Sequence, residues 1–197
     1  MTEKHFHEQG SEPDESSEES RGRRLPGKGG GFLEFLIILL LAFALVFGVV
    51  RPFVLEAFYI PSGSMVPTLK VGERVFVNKF IYRFSEPKRG DIIVFRSVDG
   101  ADEDLIKRVV GLPGDEVAVQ NGVLILNGEP QEEPYVNQRF PDDSFYGPTK
   151  VPEGKVFVMG DNRSNSADSR VFGPVPMENI AGEAFVAFWP PSRIGLL

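Results

Sequence analysis

The apolar positions of this 197-residue chain fall into two regimes. Phe32 to Val50 is a nearly unbroken apolar run with Glu34 as its sole charge. As a helix it would span about 28 Å, close to the roughly 30 Å hydrocarbon core of a bilayer. Arg51-Pro52 closes the run. From about Phe58 onward the apolar stretches are short, rich in β-branched and aromatic residues, and separated by turn formers. Arg74–Val77, Asp91–Phe95, Leu105–Val110, Glu116–Val119, Val123–Leu126, Lys155–Val158 and Ala184–Phe188 are predicted strands. Asn121-Gly122 predicts a tight hairpin turn, because both central positions of such a turn need positive φ. The run Ala184 to Pro190 is too short to cross a bilayer. No long amphipathic helix competes and no internal repeat is visible. The pattern predicts one transmembrane α-helix (32–50) followed by an all-β domain (51–197) of short antiparallel strands, β-barrel-like in arrangement.

Residues 1–31 read differently. Glu12, Asp14, Glu15, Glu18 and Glu19 crowd one stretch, and Arg and Gly follow. Too little apolar surface is present to offset the entropy of ordering, so a disordered tail is expected. Arg21, Arg23, Arg24 and Lys28 precede the apolar run, against Arg51 and Lys70 after it. That excess favours a cytoplasmic amino terminus, with the β domain on the trans side. Ala42-Phe43-Ala44 has the small-x-small pattern of a cleaved signal, but it lies mid-span with apolar residues continuing after it. An uncleaved anchor is the expected reading.

Composition narrows the chemistry. The chain has no cysteine, which excludes disulfides, thiolate metal sites and cysteine nucleophiles. Its only histidines are His5 and His7, in the polar tail. A serine hydrolase built here must therefore find a base other than histidine. A net charge of −7 offers no basic footprint for nucleic acid. No metal or cofactor is expected.

Three segments carry candidate chemistry. In Ile60-Pro61-Ser62-Gly63-Ser64-Met65-Val66-Pro67-Thr68-Leu69, prolines stiffen both ends and a glycine separates two serines. Read alone it is a Pro/Ser/Gly turn; a serine hydroxyl on such a loop could also serve as a nucleophile. In Leu105-Ile106-Lys107-Arg108-Val109-Val110-Gly111, strand alternation places Leu105, Lys107 and Val109 on one face and Ile106, Arg108 and Val110 on the other. One of the two cations is then expected to point inward. A buried lysine loses solvation and its pKa falls, giving a neutral amine able to take a proton from a serine. The plainer alternative is an edge lysine whose ammonium reaches water. The third segment, Gly160 to Arg170, fails as a calcium loop: Arg163, Ser166 and Phe172 stand where an acidic ligand, a glycine and a glutamate are needed. It remains a dense polar loop with two Asp and two Arg available to pair. Arg89-Gly90-Asp91 reads as a turn opening a strand.

Taken in order, these segments resemble the bacterial type I signal peptidases, or leader peptidases. The features that carry the resemblance are the apolar span, PSGSMVPTL (Pro61–Leu69), RGDIIVF (Arg89–Phe95), IKRVVGLPGD (Ile106–Asp115) and GDNRSNSADSR (Gly160–Arg170). A single span and the short interval between Lys107 and Gly160 resemble the short Gram-positive or cyanobacterial form.

The resemblance implies a role for each matching position. Ser64 corresponds to the nucleophile and Lys107 to the general base. The Ser62 hydroxyl and the Ser64 backbone N–H correspond to oxyanion-hole donors, and Ser166 to the serine that hydrogen-bonds and orients the lysine. Asp161, Arg163, Asp168 and Arg170 correspond to residues bracing the site. Phe58, Ile60, Pro61, Met65, Leu69, Leu105 and Ile106 fall where the family lines shallow pockets for small residues at substrate positions −1 and −3. The implied activity is a membrane-bound serine endopeptidase that removes signal peptides from exported preproteins after small-x-small sites. Preprotein signal peptides, the lipid bilayer and the protein-export channel are its implied partners, and the plasma or thylakoid membrane its implied place. The alternative is a catalytically inactive, membrane-anchored β domain that binds a partner. A Ser-Lys self-cleaving repressor is set aside, since an acidic tail and a membrane span stand where a DNA-reading helix-turn-helix would be.

Overall fold

The computed structural model describes residues 30–50, 55–137, 139 and 142–197. The expected disordered tail lies outside them except for its last two residues, as does Arg51-Pro52.

The apolar run is helical. α1 (Gly30–Leu45) continues as a π-helical turn over Val46–Val50, so the element starts two residues before the predicted span and ends with it. At 1.5 Å per residue it is about 31 Å long. It is the one helix among the described residues long and apolar enough to cross a membrane.

The rest of the described chain is mostly antiparallel β-sheet, as predicted, with one short α-helix at Ser169–Phe172. The strands are β1 (Leu55–Tyr59), β2 (Arg74–Asn78), β3 (Ile92–Arg96), β4 (Asp104–Gly111), β5 (Glu116–Gln120) and β6 (Val123–Leu126). They continue with β7 (Glu129–Pro130), β8 (Tyr146–Lys150), β9 (Lys155–Met159), β10 (Val175–Pro176), β11 (Ile180–Trp189) and β12 (Gly195–Leu196). The larger sheet runs β1-β2-β11-β3-β4-β9-β10, with β12 added to β11; the smaller runs β7-β6-β5-β8. Every pairing is antiparallel.

All seven predicted strands form, most longer by a residue at one or both ends, and β11 much longer. The five unpredicted ones are explained by their sequences. β8 contains Gly147-Pro148 and sits at a sheet edge, where a proline's missing N–H removes no ladder bond. β7, β10 and β12 are two residues each, too short to carry a period. β1 is an edge strand that alternates only weakly, with Glu56 and Ala57 both exposed.

Asn121-Gly122 turns β5 into β6 as predicted, with φ of 50° and 76° and Gln120 paired to Val123. Asn127-Gly128 repeats the device between β6 and β7, at 52° and 87°. The same Asn-Gly signal marks that second turn in the sequence.

Three apolar clusters make the core. Ile60, Met65, Leu69, Val75, Val77, Ile92, Val94 and Ile106 form one. Ile93, Phe95, Val109, Val156, Val158 and Val175 form a second, on the alternate strand positions. Val110, Val117, Val119, Leu124, Leu126 and Phe157 tie the small sheet to the large one. Strand β4 contributes to all three, because it lies between β3 and β9 with both faces covered. This corrects the expectation for its cations. Lys107 and Arg108 are both buried, at 3% and 8% exposure, so strand alternation does not send one of them to water.

Candidate active site

Ser64 lies on the loop between β1 and β2. Ile60 and Met65 anchor that loop by burying their side chains in the core beneath it. Ser64 is buried, and Lys107 Nζ from β4 donates to its Oγ at 3.1 Å. Lys107 also donates to Ile106 O at 2.9 Å. Burial strips solvation from the ammonium and lowers the lysine pKa from its ordinary value to about 8; the carboxylates of Asp168 and Glu103 oppose that fall. A nitrogen held at hydrogen-bond distance from a hydroxyl, with an accessible neutral form, can accept that hydroxyl's proton. Ser62 Oγ stands 3.4 Å from Ser64 Oγ. Among the described residues no acceptor takes the Ser64 N–H.

The third segment closes over the backbone of this loop. Asn162 N–H donates to Ser64 O at 2.9 Å, and Asn162 Nδ2 to Gly63 O at 3.0 Å. Gly160 permits that approach: a Cβ there would lie 2.5 Å from Ser64 O and 2.3 Å from Ser166 Oγ. Ser166 is thus beside Ser64 but does not make the expected bond. Its hydroxyl is buried with no hydrogen-bond partner among the described residues, while Lys107 donates to Ser64 and Ile106.

The four expected bracing residues are engaged, though only half of them pair with one another. Asp168 bonds Arg170 and accepts from Gly160 N–H at 3.1 Å. Asp161 is fully buried and instead holds Arg108, by Nε at 2.9 Å and Nη2 at 2.7 Å, and accepts from the Thr68 hydroxyl. Arg163 forms a forked pair with Glu133 at 2.7 and 2.6 Å. Arg170 reaches Asp142 at 2.7 Å. Thr68 and Asn162 were inside the motifs already singled out, so the signal for them was present. Glu133 and Asp142 had none, since a single charged residue on a connecting segment does not announce a partner some thirty residues away.

The residues expected to line substrate pockets divide. Phe58 and Ile106 pack with Ile60, Met65 and Leu69 in one cluster. Within it Ile60, Met65 and Leu69 are sealed core side chains, at 2%, 0% and 0% exposure, and Pro61 is exposed. Leu105 does not join them. It packs against the Ile93 and Phe95 cluster, because alternation along β4 turns it to the face opposite Ile106. Phe58 borders a cleft of about 480 Å³ together with Lys79, Arg96, Asp104 and Ile180. A second cavity, of about 440 Å³, is lined by Thr68, Arg108, Tyr135, Arg193 and Leu197 among others.

The chain is similar to known proteins over most of its length. The family model described as signal peptidase, peptidase S26, matches residues 32–189. A signal peptidase I of Leptolyngbya laminosa is 49% identical over 155 residues, covering 75% of this chain and 75% of that protein. A probable signal peptidase I-1 of Synechocystis is 47% identical over 168 residues, covering 81% and 85%. A signal peptidase IB of Staphylococcus aureus is 37% identical over 177 residues, covering 82% and 91%. A crystal structure of a signal peptidase I from Enterococcus faecalis is 33% identical, covering 50% of this chain and 97% of its own, with a TM-score of 0.44. The chain belongs to the signal peptidase family, peptidase S26, and is a serine peptidase of that family.

Proposed function

We propose that the chain cleaves signal peptides from exported preproteins through a Ser64–Lys107 dyad. The observation that carries this reading is the buried Lys107 Nζ at 3.1 Å from Ser64 Oγ. Neutral Lys107 takes the proton from Ser64 Oγ as that oxygen attacks the carbonyl carbon of the residue at position −1. The tetrahedral intermediate places its oxyanion toward the Ser62 hydroxyl and the Ser64 N–H. It collapses by breaking the carbon–nitrogen bond, and Lys107 returns the proton to the departing amine, the new amino terminus of the mature protein. The signal peptide is left as an ester on Ser64. Lys107 then deprotonates a water, which attacks that ester; the bond to Ser64 Oγ breaks as Lys107 returns the proton to that oxygen, and the signal peptide leaves as a carboxylic acid.

Phe58 and Pro61 are the pocket candidates with surface to offer; Ile60, Met65, Leu69 and Ile106 are the buried floor beneath them. Asp161, Arg163, Asp168 and Arg170 hold the Gly160–Arg170 loop against Ser64. Ser166, unpartnered and adjacent, becomes available to Lys107 once the lysine leaves Ser64 Oγ during turnover.

The measurement is cleavage of a preprotein with a small-x-small site by the full chain in detergent, with the new amino terminus sequenced. A cut after that site is expected. Ser62→Ala should lower kcat about 10²-fold, the usual effect of one lost oxyanion donor. No cleavage by the wild type would instead favour a binding module without catalysis.

The apolar helix supports anchoring in a lipid bilayer, and the flanking charges support a cytoplasmic amino terminus in the plasma or thylakoid membrane. The export channel is a reasonable neighbour for such an enzyme. Protease added outside sealed cells should digest the β domain. Protection of that domain, with loss of the tail, would reverse the topology.

A further inference from the structure

The loop bearing Ser64 is closed at its neck by two backbone bonds, Ile60 N–H to Glu73 O and Gly72 N–H to Ile60 O, each 2.9 Å. Glu73 itself is buried, at 3% exposure. Its carboxylate accepts from Lys70 N–H at 3.0 Å and from Arg193 Nε at 2.7 Å. Arg193 Nη2 reaches past it to Thr68 O at 3.1 Å. One guanidinium thus bridges the neck of the loop and its returning limb. Thr68 in turn donates its hydroxyl to Asp161, the partner of Arg108, which follows Lys107 in β4.

The arm that carries Arg193 is fixed independently of the loop. Arg193 ends a short 3-10 turn, Pro191–Arg193, and β12 follows one residue later, with Gly195 paired to Ala187 and Leu196 to Val186 of β11. Leu197 N–H adds a bond to Phe185 O. These residues lie beyond position 189, where the family match ends.

We infer that Arg193 is a positioning residue for the peptidase reaction, clamping Glu73 to Thr68 so that the loop presents Ser64 Oγ to Lys107. The inference rests on the dyad proposed above. Among the described residues Arg193 is the one cation within salt-bridge distance of Glu73. Without it the buried carboxylate must draw in water, and the neck is the nearest place to open. Loss of Arg193 also frees the Thr68 carbonyl, and the returning limb can then drift. A displacement of about 1 Å at a reacting atom can cost up to about 10²-fold in rate.

A cavity of about 440 Å³ borders Thr68 and Arg193, so the space a shortened side chain vacates at position 193 would open onto it. The test uses the full chain in detergent, with kcat expressed per folded molecule at a temperature well below unfolding. Arg193→Ala should lower kcat about tenfold with KM within about twofold of wild type. Arg193→Lys should keep part of that loss from appearing. Guanidinium ion at a sub-denaturing concentration should restore part of the Arg193→Ala rate and leave the wild type unimproved. An unchanged kcat in Arg193→Ala overturns the inference, whatever happens to thermal stability. So does a fall that neither lysine nor guanidinium reverses, since that marks general loosening. If instead Ser64→Ala cleaves normally, it is the dyad that fails, and the two failures are told apart.

Discussion

Lys107→Met is expected to abolish preprotein cleavage while making the fold more stable at neutral pH. On the proposed mechanism the variant has no base, and loss of general-base catalysis alone costs up to about 10⁴-fold. Ser64→Ala, which removes the nucleophile itself, should cost at least as much. The stability gain follows from burial. Lys107 titrates near 8 in the fold, because desolvation outweighs the nearby carboxylates, against about 10.4 in an unfolded chain. Between those pH values the unfolded chain binds more protons at this group, so stability rises with pH there. Below about pH 8 the penalty is fully present and amounts to about 3 kcal/mol; above about pH 10 it is gone. Methionine fills a similar volume and carries no charge to desolvate. The variant should therefore unfold later than wild type at pH 7, with the difference shrinking as pH climbs through 8 to 10. Wild-type kcat/KM should rise about tenfold per pH unit below pH 8 and level off above it, since that quantity reports the free enzyme's base. Full activity in Lys107→Met would end the dyad assignment. A rate that is flat between pH 6 and 9 would end the neutral-amine assignment.

Breaking the Arg108–Asp161 pair is expected to be the most destabilising single change near the site. Asp161 is fully buried and Arg108 nearly so, and their two bonds are 2.9 and 2.7 Å. Arg108 also stacks on Tyr135 at 4.1 Å and donates to Gly90 O at 2.8 Å, so it cannot swing out to water. Asp161→Ala leaves that guanidinium buried without its anion and strips Thr68 of its acceptor. A loss of about 3–5 kcal/mol is expected, because an uncompensated buried charge is worse than no charge. For a domain of this size that lowers Tm by on the order of 10 °C. The double variant Arg108→Met with Asp161→Leu should be less damaged than Asp161→Ala. Denaturant unfolding of the three proteins measures both comparisons. A loss under about 1 kcal/mol in Asp161→Ala would mean that water already shields the pair.

The largest features were legible because they depend on local pattern. An apolar run such as Phe32–Val50 can satisfy its backbone in lipid only as a helix, so length and composition decide it. Asn121-Gly122 fixes a hairpin because its two φ angles can hardly be positive elsewhere. The absence of cysteine, and of any histidine after His7, removed the other common nucleophile and base before any fold was known. The motifs around Ser64 and Lys107 named the two residues that stand within hydrogen-bond distance of each other.

Tertiary structure decided the rest, because burial and pairing are not local. Alternation along Lys107-Arg108 predicts one inward cation, but β4 is a central strand and both of its faces are covered. The segment Asp161 to Arg170 contains a balanced set of charges, yet Asp161 and Arg163 find their partners in Arg108 and Glu133, far along the chain. Leu105 follows the period faithfully, and that same period turns it away from Ile106. Arg193 looks like an ordinary surface arginine until Glu73 is folded beneath it. A sequence can state which groups a chain possesses; which of them lose their water, and beside which neighbour, is settled only when distant segments close on one another.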